Sequence, residues 1–551
     1  MKKRTILFII TFIFIFSCAS NIPKKDEENS NKSVDIEWFN EGYMLFEKGD
    51  LDSAILAYTK AIEINPNYFE AYNNRGLAYG KKGDLESAIK DYTKAIQINP
   101  NYAFAYNNRG LIYDSKGDLE SAIKDYTKAI QIDPNYYNAY DNRGVAYEKK
   151  GDLDSAILDY TKAIEINPNF AIAYDDRGIA YDKKGDLEAA ILDYTKAIEI
   201  APDYYNSYYN RGVAYDKKGD LESAIKDYTK AIELNPYYVE AYNDRGIAYK
   251  VQGEYEKSID DFTKAIEINP NYSNAYYNRA YIYNILGEYD KAITDFTRAI
   301  SINPNYFEAY NNRGVVYENK GEYDKAITDF TRAISINPNY TLAYDNRGLA
   351  YEKKGELDQA ILDYTKAIEL NPNFALAYND RGIVYEKKKE YEKAFLDYTK
   401  AIESDANFSE AYYNRANIYD IKGEYQKAII DYTKAIELNP NFVDAYNNRG
   451  ILYRKIKDYD KAIKDYDKAI SIAPNYVLAY NNRGWIYYLK KEYDKALADF
   501  NKAIELKPDY GIAYGNLGLV YKEKGDCKKA TIEWEKACSL GDKNACFWSC
   551  P

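Results

Sequence analysis

A short polar stretch recurs along most of the chain and offers hydrogen-bonding chemistry. It occurs first at residues 73–75 (NNR) within the sequence AYNNRG, and again 34 residues later at residues 107–109. An asparagine amide offers both a donor and an acceptor, whereas an arginine presents a fork of donors that fits a carboxylate. The amides could therefore match a peptide backbone, while each arginine calls for an acidic partner.

Catalytic chemistry finds little support in the composition. The 551 residues include no histidine, which removes the commonest general base and the commonest neutral metal ligand. We find no glycine-rich phosphate loop and no nucleophile elbow, and the carboxylates belong to repeating polar faces; serine–lysine or carboxylate chemistry remains the alternative. The net charge of −12 argues against a nucleic-acid partner. We therefore expect a protein that is not an enzyme and that needs no cofactor or metal.

The N-terminus has the features of an export signal. Three cations at positions 2–4 precede an apolar run from Ile6 to Phe16, which is too short to span a bilayer comfortably. The run ends in Ser17-Cys18 and resembles a bacterial lipobox, although Phe16 is bulkier than the usual residue there. We expect a signal peptide (1–17), a lipidated Cys18 and a flexible tether (18–34). The alternative is an ordinary signal peptide or uncleaved anchor with an incidental cysteine.

That resemblance also implies a location. A lipidated cysteine would make the chain an exported lipoprotein of the bacterial cell envelope. The places consistent with such an anchor are the outer membrane, the periplasmic side and the cell surface, and the choice of membrane and leaflet stays open.

The remaining chain repeats every 34 residues and predicts helices throughout. Within each repeat two helical patterns are separated by a pair such as Gly83-Asp84, in which the glycine can close one helix and the acid can cap the next. Prolines such as Pro66 mark the repeat boundaries. Fifteen repeats fit into residues 35–544, followed by a short cap (545–551). The predicted fold is an all-α solenoid in which each helix pair buries its apolar face on its neighbours.

The repeat is identified as a member of the tetratricopeptide repeat (TPR) family. Its second copy carries the family signature at Tyr72, Gly76, Tyr79, Ala88, Tyr92, Ala95 and Pro100. The resemblance covers about nine tenths of the chain. It implies a right-handed superhelix that binds a protein or peptide partner on its concave surface. The chain departs from the family in having arginine where leucine usually precedes the glycine.

The arginine has a matching acid in the sequence. It occurs in thirteen consecutive repeats, and each of these carries an aspartate sixteen residues later, whereas the first repeat lacks both. We predict ion pairs that clamp the two helices of a repeat, such as Arg75 with Asp91 and Arg279 with Asp295. On this interpretation the arginines are structural and do not form a basic binding stripe.

The second asparagine lies two residues after the core tyrosine, about 200° round the helix and hence off the packed face. By resemblance to TPR proteins this position lines the concave surface, where an asparagine ladder in O-GlcNAc transferase holds extended peptides. The alternative is that duplication copied a merely tolerated residue. The predicted ladder comprises Asn74, Asn108, Asn142, Asn210, Asn278, Asn312, Asn346, Asn414, Asn448 and Asn482.

Aromatic residues interrupt this polar surface and are candidate binding hot spots. Tyr209, Tyr277 and Tyr413 directly precede ladder positions, and Trp485 and Tyr488 lie one helical turn apart. Three residues after the ladder position the chain is usually aliphatic. This departs from the lysines and asparagines of the co-chaperone TPR clamp, so a chaperone's C-terminal peptide is not the expected ligand.

Four cysteines lie in the last twenty-five residues. The segment around Cys538 and Cys546 resembles Sel1-like, cysteine-rich helical repeats of exported proteins. In those repeats, cysteines eight positions apart are joined, which implies a Cys538–Cys546 disulfide. Metal binding is the alternative, and the pairing of Cys527 and Cys550 stays open.

Taken together, the sequence predicts a membrane-anchored TPR scaffold that binds an extended peptide or protein segment in its groove. One alternative is a structural spacer in which the number of repeats sets the length. Another is a surface adhesin or ligand-binding protein.

Overall fold

A computed structural model describes residues 33–549, which form thirty α-helices and one short 3-10 helix. These helices form two compact lobes, which divide between Ser258 and Ile259, within helix α14. The first lobe contains α1 (Val34–Glu47), α2 (Leu51–Ile64), α3 (Phe69–Lys82), α4 (Leu85–Ile98), α5 (Ala103–Ser115), α6 (Leu119–Ile132), α7 (Tyr137–Lys150), α8 (Leu153–Ile166), α9 (Ala171–Lys184), α10 (Leu187–Ile200), α11 (Tyr205–Lys218), α12 (Leu221–Leu234) and α13 (Val239–Gln252).

Helix α14 (Tyr255–Ile268) is followed by the sixteen helices of the second lobe. These are α15 (Ser273–Ile285), α16 (Tyr289–Ile302), α17 (Phe307–Asn319), α18 (Tyr323–Ile336), α19 (Thr341–Lys354), α20 (Leu357–Leu370), α21 (Ala375–Lys387), α22 (Tyr391–Ser404), α23 (Ser409–Ile421), α24 (Tyr425–Leu438), α25 (Val443–Lys455), α26 (Tyr459–Ile472), α27 (Val477–Leu489), α28 (Tyr493–Leu506), α29 (Gly511–Glu523) and α30 (Cys527–Ser539). Each odd-numbered helix begins a repeat and is called a first helix; each even-numbered helix is a second helix.

The turn inside a repeat follows the predicted capping chemistry where aspartate begins the second helix, whereas a glutamate there, such as Glu322, makes no side-chain cap bond. Gly83 adopts φ +85°, a left-handed conformation that costs glycine little, and it ends α3. The Asp84 side chain then accepts a hydrogen bond of 3.1 Å from the Ser87 N–H and starts α4. Three later repeats place a lysine where the glycine would be, and Lys389 takes φ +61° at this point. These turns therefore keep their shape at the cost of backbone strain.

A glycine–tyrosine contact holds the two helices of a repeat together. A Cβ atom on Gly76 would lie 2.9 Å from the ring of Tyr92, so only glycine lets α3 approach α4 this closely. Tyr92, Ala88 and Ala95 are completely buried in the same contact. The signature residues of the repeat are therefore the ones that set the packing distance between its helices.

Stacking of the repeats gives each lobe an inner face. Most successive first helices within a lobe touch each other, whereas successive second helices approach less closely. First helices therefore line the narrower side of the stack, and side chains that project between them form its inner face.

The C-terminal end is closed by a compact cap. A disulfide joins Cys538, in α30, to Cys546, in the 3-10 helix Ala545–Phe547. Cys527 is disulfide-bonded as well. Trp548 packs edge-on against Trp534 with ring centroids 5.8 Å apart, and this covers the end of the stack.

The predicted signal peptide and Cys18 lie outside the described residues. Among residues 33–549 no helix has the length and apolar character needed to cross a membrane.

Candidate functional site

The recurring arginine forms a bidentate ion pair inside its own repeat. In the second repeat Arg75 Nε donates to Asp91 Oδ2 at 2.7 Å, and Nη2 donates to Oδ1 at 2.9 Å. Its Nη1 donates to Thr59 Oγ1 at 2.9 Å, which lies in the second helix of the preceding repeat. One arginine thus ties together three helices. The sequence prediction missed this threonine. In most repeats a threonine directly follows the core aromatic residue of the second helix.

The same bidentate pair forms in every copy whose partner lies in the same lobe. These arginines are Arg75, Arg109, Arg143, Arg177 and Arg211 in the first lobe, and Arg279, Arg313, Arg347, Arg381, Arg415, Arg449 and Arg483 in the second.

These pairs are largely buried. Asp91 is only 5% exposed. Burial alone would lower the pKa of Arg75, but the hydrogen bond and the charge of Asp91 raise that pKa above its usual value. The arginine therefore stays charged and holds neighbouring helices together, and it is not available as a basic binding surface.

The asparagines form hydrogen-bonded joints between neighbouring repeats. Asn108 Nδ2 donates to Asn73 Oδ1 of the preceding first helix at 3.0 Å, and Asn73 Nδ2 donates to Asn74 Oδ1 at 3.1 Å. In each joint the ladder asparagine is the donor. The acceptor lies 35 residues earlier in the chain and directly precedes the ladder position of the preceding repeat. Equivalent bonds run from Asn142 to Asn107, Asn210 to Asp175, Asn346 to Asn311, Asn414 to Asn379, Asn482 to Asn447 and Asn516 to Asn481.

This geometry corrects the predicted placement of the ladder off the packed face. None of the ten ladder asparagines is fully exposed; Asn108 and Asn278 are buried and the others are half-buried. The helical-wheel argument failed because a first helix packs on its neighbouring first helices as well as on its own second helix. A ladder amide such as Asn346 uses one N–H in its joint, which leaves a second N–H and the oxygen's remaining capacity at the inner face.

Tyr209, Tyr277 and Tyr413 belong to the same joints. The hydroxyl of Tyr277 accepts from Asn312 Nδ2 at 2.9 Å, and that of Tyr413 accepts from Asn448 Nδ2 at 3.0 Å. Tyr209 instead donates to Asp244 at 2.7 Å.

Their rings are also packed into the interface between repeats. Tyr277 stacks on Tyr306 with centroids 4.9 Å apart, and Tyr209 lies 4.8 Å from Tyr238. Each of these tyrosines therefore replaces the asparagine that would complete its joint, and its role as a binding hot spot stays a prediction for the part of the half-buried ring that is exposed.

Trp485 and Tyr488 lie together on α27, with ring centroids 5.2 Å apart. Both are half-buried, and the Tyr488 ring also contacts Tyr493 at 6.1 Å. They form part of the packing between the last repeats, so their role as binding hot spots stays a prediction.

A second polar row follows the joints along the inner face. It consists of lysines that bond to carboxylates of the preceding first helix, such as Lys455 Nζ to Asp420 at 2.6 Å. Between the two rows the side chains are mostly aliphatic, as at Ile451. Asn417 breaks this pattern, and so does Tyr281, which is 40% exposed.

A shallow hollow of about 220 Å³ opens on the inner face beside Asn417, between α23 and α25. Its lining consists of Asn417, Asp420, Ile421, Tyr432, Asn448 and Ile451. The Tyr432 hydroxyl donates to Asn417 Oδ1 at 2.5 Å, and Asn448 Nδ2 approaches the same oxygen at 3.4 Å. Among the described residues, no group of three carboxylate or thiol side chains is arranged to hold a metal ion.

Fold and inner face together define a helical-repeat scaffold, and sequence comparison identifies the repeat. The tetratricopeptide repeat profile matches residues 69–102, 103–136, 137–170, 205–238, 239–272, 307–340, 343–374, 409–442, 443–476 and 477–510. Related TPR profiles match residues 42–83, 159–191, 180–219, 262–294, 280–321 and 363–395. The chain therefore belongs to the tetratricopeptide repeat family, as its sequence signature predicts. Arrays of this family are protein–protein interaction scaffolds.

Three solved structures are among those similar to the chain. Cut9 in the APC/C hetero-tetramer Cut9–Hcn1 is 16% identical, with 83% of this chain and 96% of that chain covered and a TM-score of 0.41. Yeast Tom70 is 18% identical, with 79% and 95% covered and a TM-score of 0.36. YrrB, a TPR protein with an unusual peptide-binding site, is 28% identical, with 34% and 95% covered and a TM-score of 0.29. Comparison with curated proteins finds no match.

Proposed function

We propose that the protein is a non-enzymatic scaffold that binds an extended segment of a protein partner along the inner face of its first helices. The observation that carries this proposal is the row of half-buried ladder amides, each with hydrogen-bonding capacity left after its joint is made. A peptide backbone presents alternating N–H and C=O groups, which an amide can match without reading side chains. A nucleic-acid partner is not proposed, since the net charge is −12.

The second lobe offers the best-developed part of this surface. Its hollow combines the amides of Asn417 and Asn448 with the aliphatic side chains of Ile421 and Ile451. Apolar surface with a few fixed polar groups is the usual composition of a recognition site. The hollow is therefore the place where a partner side chain would enter while its backbone follows the amide row.

We also propose that the scaffold is exported and held at a membrane of the bacterial cell envelope by a lipid on Cys18. The support is the sequence of the N-terminus, in which a cationic start, a short apolar run and Ser17-Cys18 follow one another. Cys18→Ala should move the protein from the membrane fraction to the soluble fraction. Unchanged membrane association would contradict the lipid anchor while leaving peptide binding open.

The binding proposal requires a variant that distinguishes recognition from joint stability. Asn346, Asn414 and Asn482 each donate to a buried residue of the preceding first helix, at 3.0, 2.9 and 2.9 Å. The triple change of these three to alanine removes three joints and three inner-face amides. The matched control is the triple change Asn311→Ala, Asn379→Ala and Asn447→Ala, which removes the same joints but keeps the ladder amides.

We expect the ladder variant to lose about a hundredfold in partner affinity, because three hydrogen bonds contribute about 1 kcal/mol each. The control variant should bind normally. A photo-crosslinking residue at Ile451 in intact cells would measure partner capture for both variants. Equal capture by the ladder variant and the unmodified protein would contradict recognition by the amides and favour a spacer, whose function depends on repeat number.

A further inference from the structure

Two joints between repeats lack an amide donor altogether. In the second lobe Asp345 occupies the acceptor position, and Asp380 occupies the position from which Asn346 and Asn414 donate in neighbouring joints. In the first lobe Asp141 and Asp176 have the same relation. Ionised carboxylates only accept hydrogen bonds, so a joint of this kind has two acceptors and no donor.

The acceptor aspartates are deeply buried and incompletely bonded. Asp345 is 5% exposed and Asp141 is 4% exposed, and the Oδ1 atom of each has no hydrogen-bond partner. A buried ionised oxygen without a partner is costly. By contrast, Asp175 holds the same position as these two and receives bonds from Ser207 Oγ at 2.7 Å and Asn210 Nδ2 at 3.1 Å.

The surroundings of the two joints add negative charge. In the second lobe Glu318 of α17 acts on Asp345, and Glu352 of α19 acts on Asp380. The hydroxyl of Tyr364, from α20, donates to Glu352 at 3.2 Å, and Lys387, from α21, donates to it at 2.7 Å. The nearby cation is therefore engaged by Glu352; Lys353 of α19 only partly offsets these charges at Asp380.

The first lobe repeats this arrangement around Asp141, six repeats earlier in the chain. Glu148 of α7 acts on Asp141 and accepts from Tyr160, of α8, at 3.3 Å and from Lys183, of α9, at 2.6 Å. Asp114, from α5, takes the place of Glu318 and is bonded by Lys149 at 2.5 Å.

Burial and charge favour the protonated form at both sites. Burial, with the charges of Asp380 and Glu318, raises the pKa of Asp345 from its ordinary 3.8 to about 8. Burial raises the pKa of Asp380 to about 6, against the hydrogen bond from Asn379. Burial and Glu148 likewise raise the pKa of Asp141.

We propose that each of these joints binds one proton, shared between Asp345 and Asp380 in one lobe and between Asp141 and Asp176 in the other, and that the bound proton holds the two neighbouring first helices together. The protonated carboxyl supplies the donor that the amide supplies elsewhere. When the proton leaves, two like charges face each other in a buried site and the joint opens, which changes the inner face at that position.

The direction with pH follows from the raised pKa values. An aspartate with a folded-state pKa above its unfolded value of 3.8 contributes its full stabilisation below about pH 4. That stabilisation falls as the pH rises and is lost as the pH passes the folded-state pKa, from about 6 to about 8 for the two residues of the second lobe. The joint is therefore closed in acid and opens in mild alkali.

Hydrogen–deuterium exchange of the full chain, corrected for the intrinsic effect of pH, would test this for α19 and α21. In the unmodified protein we expect protection of these helices to fall by up to about tenfold for each pH unit between the unfolded value of 3.8 and the upper pKa of about 8, and to level off above it. Asp380→Asn provides the missing donor and should remove this dependence. The helical content of the variant, measured by circular dichroism, should be unchanged, since asparagine holds this position in most repeats.

The matched control is Asp244→Asn, at the same position of another repeat, where the Tyr209 hydroxyl already supplies a donor. This control should leave the pH dependence of α19 and α21 intact. Protection that does not change with pH in the unmodified protein would overturn the proposal. So would a pH dependence that persists in Asp380→Asn, because the proton would then bind elsewhere.

Discussion

The ion pair of Arg279 with Asp295 allows a quantitative test of how the repeats are held together. Arg279 Nε and Nη2 donate to the two carboxylate oxygens of Asp295 at 2.7 and 3.0 Å, and Nη1 donates to Thr263 at 2.9 Å. The side chains are 16% and 8% exposed. Arg279→Leu removes three donors and leaves a buried carboxylate without its counter-charge.

The expected cost follows from that burial. Breaking a buried pair by removing one partner costs about 3–5 kcal/mol, and the partial exposure of the arginine places this case near 3. Asp295→Leu should cost about 1.5 kcal/mol, since the exposed edge of the guanidinium can still be hydrated. The double variant leaves no unpaired charge and should cost about 1.5–2.5 kcal/mol, less than Arg279→Leu alone. The coupling free energy should therefore be about 2–3 kcal/mol.

Exchange of the amides of α15 and α16 under native conditions is the appropriate assay, because a long repeat array does not unfold in one step. It reports the free energy of local opening for the two helices that the pair joins. Arg298→Leu is the control, since Arg298 lies on α16, is exposed and carries the same charge. A coupling below about 0.5 kcal/mol would refute the view that these arginines are structural clamps.

Two further predictions concern local structure. Lys389→Gly should stabilise the turn between α21 and α22 by about 1 kcal/mol, because Lys389 has φ +61°. The control is Lys388→Gly, which should not stabilise the turn because Lys388 has φ −80°. Equal exchange rates of α22 amides in the two variants would contradict the argument. Reduction of the Cys538–Cys546 disulfide should destabilise the C-terminal cap by about 2 kcal/mol, so that amides of α30 exchange first. A non-reducing peptide map that shows both thiols free in the exported protein would rule out the disulfide there.

Much of the fold could be predicted from the sequence because its determinants are local. The 34-residue period, the Gly83-Asp84 turn and the sixteen-residue separation of Arg75 from Asp91 all act within one repeat. Since both members of the ion pair appear and disappear together along the chain, their contact could be inferred without a structure. The structure shows that same contact.

The inner face was harder to predict because its contacts join different repeats. Helical spacing placed Asn74 away from the second helix of its own repeat, but it carried no information on the neighbouring first helix. The same limit explains why the contact of Tyr277 was not predicted. A helical wheel places this tyrosine in the groove, whereas in the structure its hydroxyl accepts a hydrogen bond from Asn312 of the next repeat. Thr59 was missed for the same reason, since it serves an arginine of the next repeat.

The chemistry of asparagine accounts for how a chain of near-identical repeats came to contain the two carboxylate joints. An asparagine both donates and accepts, so any repeat that carries it can be placed beside any other and the joint is still completed. An aspartate only accepts while it is ionised, so its joint is complete only beside a donor, as with Asp175 and Asn210. Asp141 and Asp345 lie 204 residues apart, which is six repeats, and each is followed by an aspartate at the facing position. Copying a block of repeats would reproduce such a mismatch as faithfully as any matched joint. Such a mismatched joint stays closed only while a bound proton supplies the donor that an amide supplies elsewhere. The facing aspartates therefore make the stack sensitive to pH, whereas the asparagine joints do not.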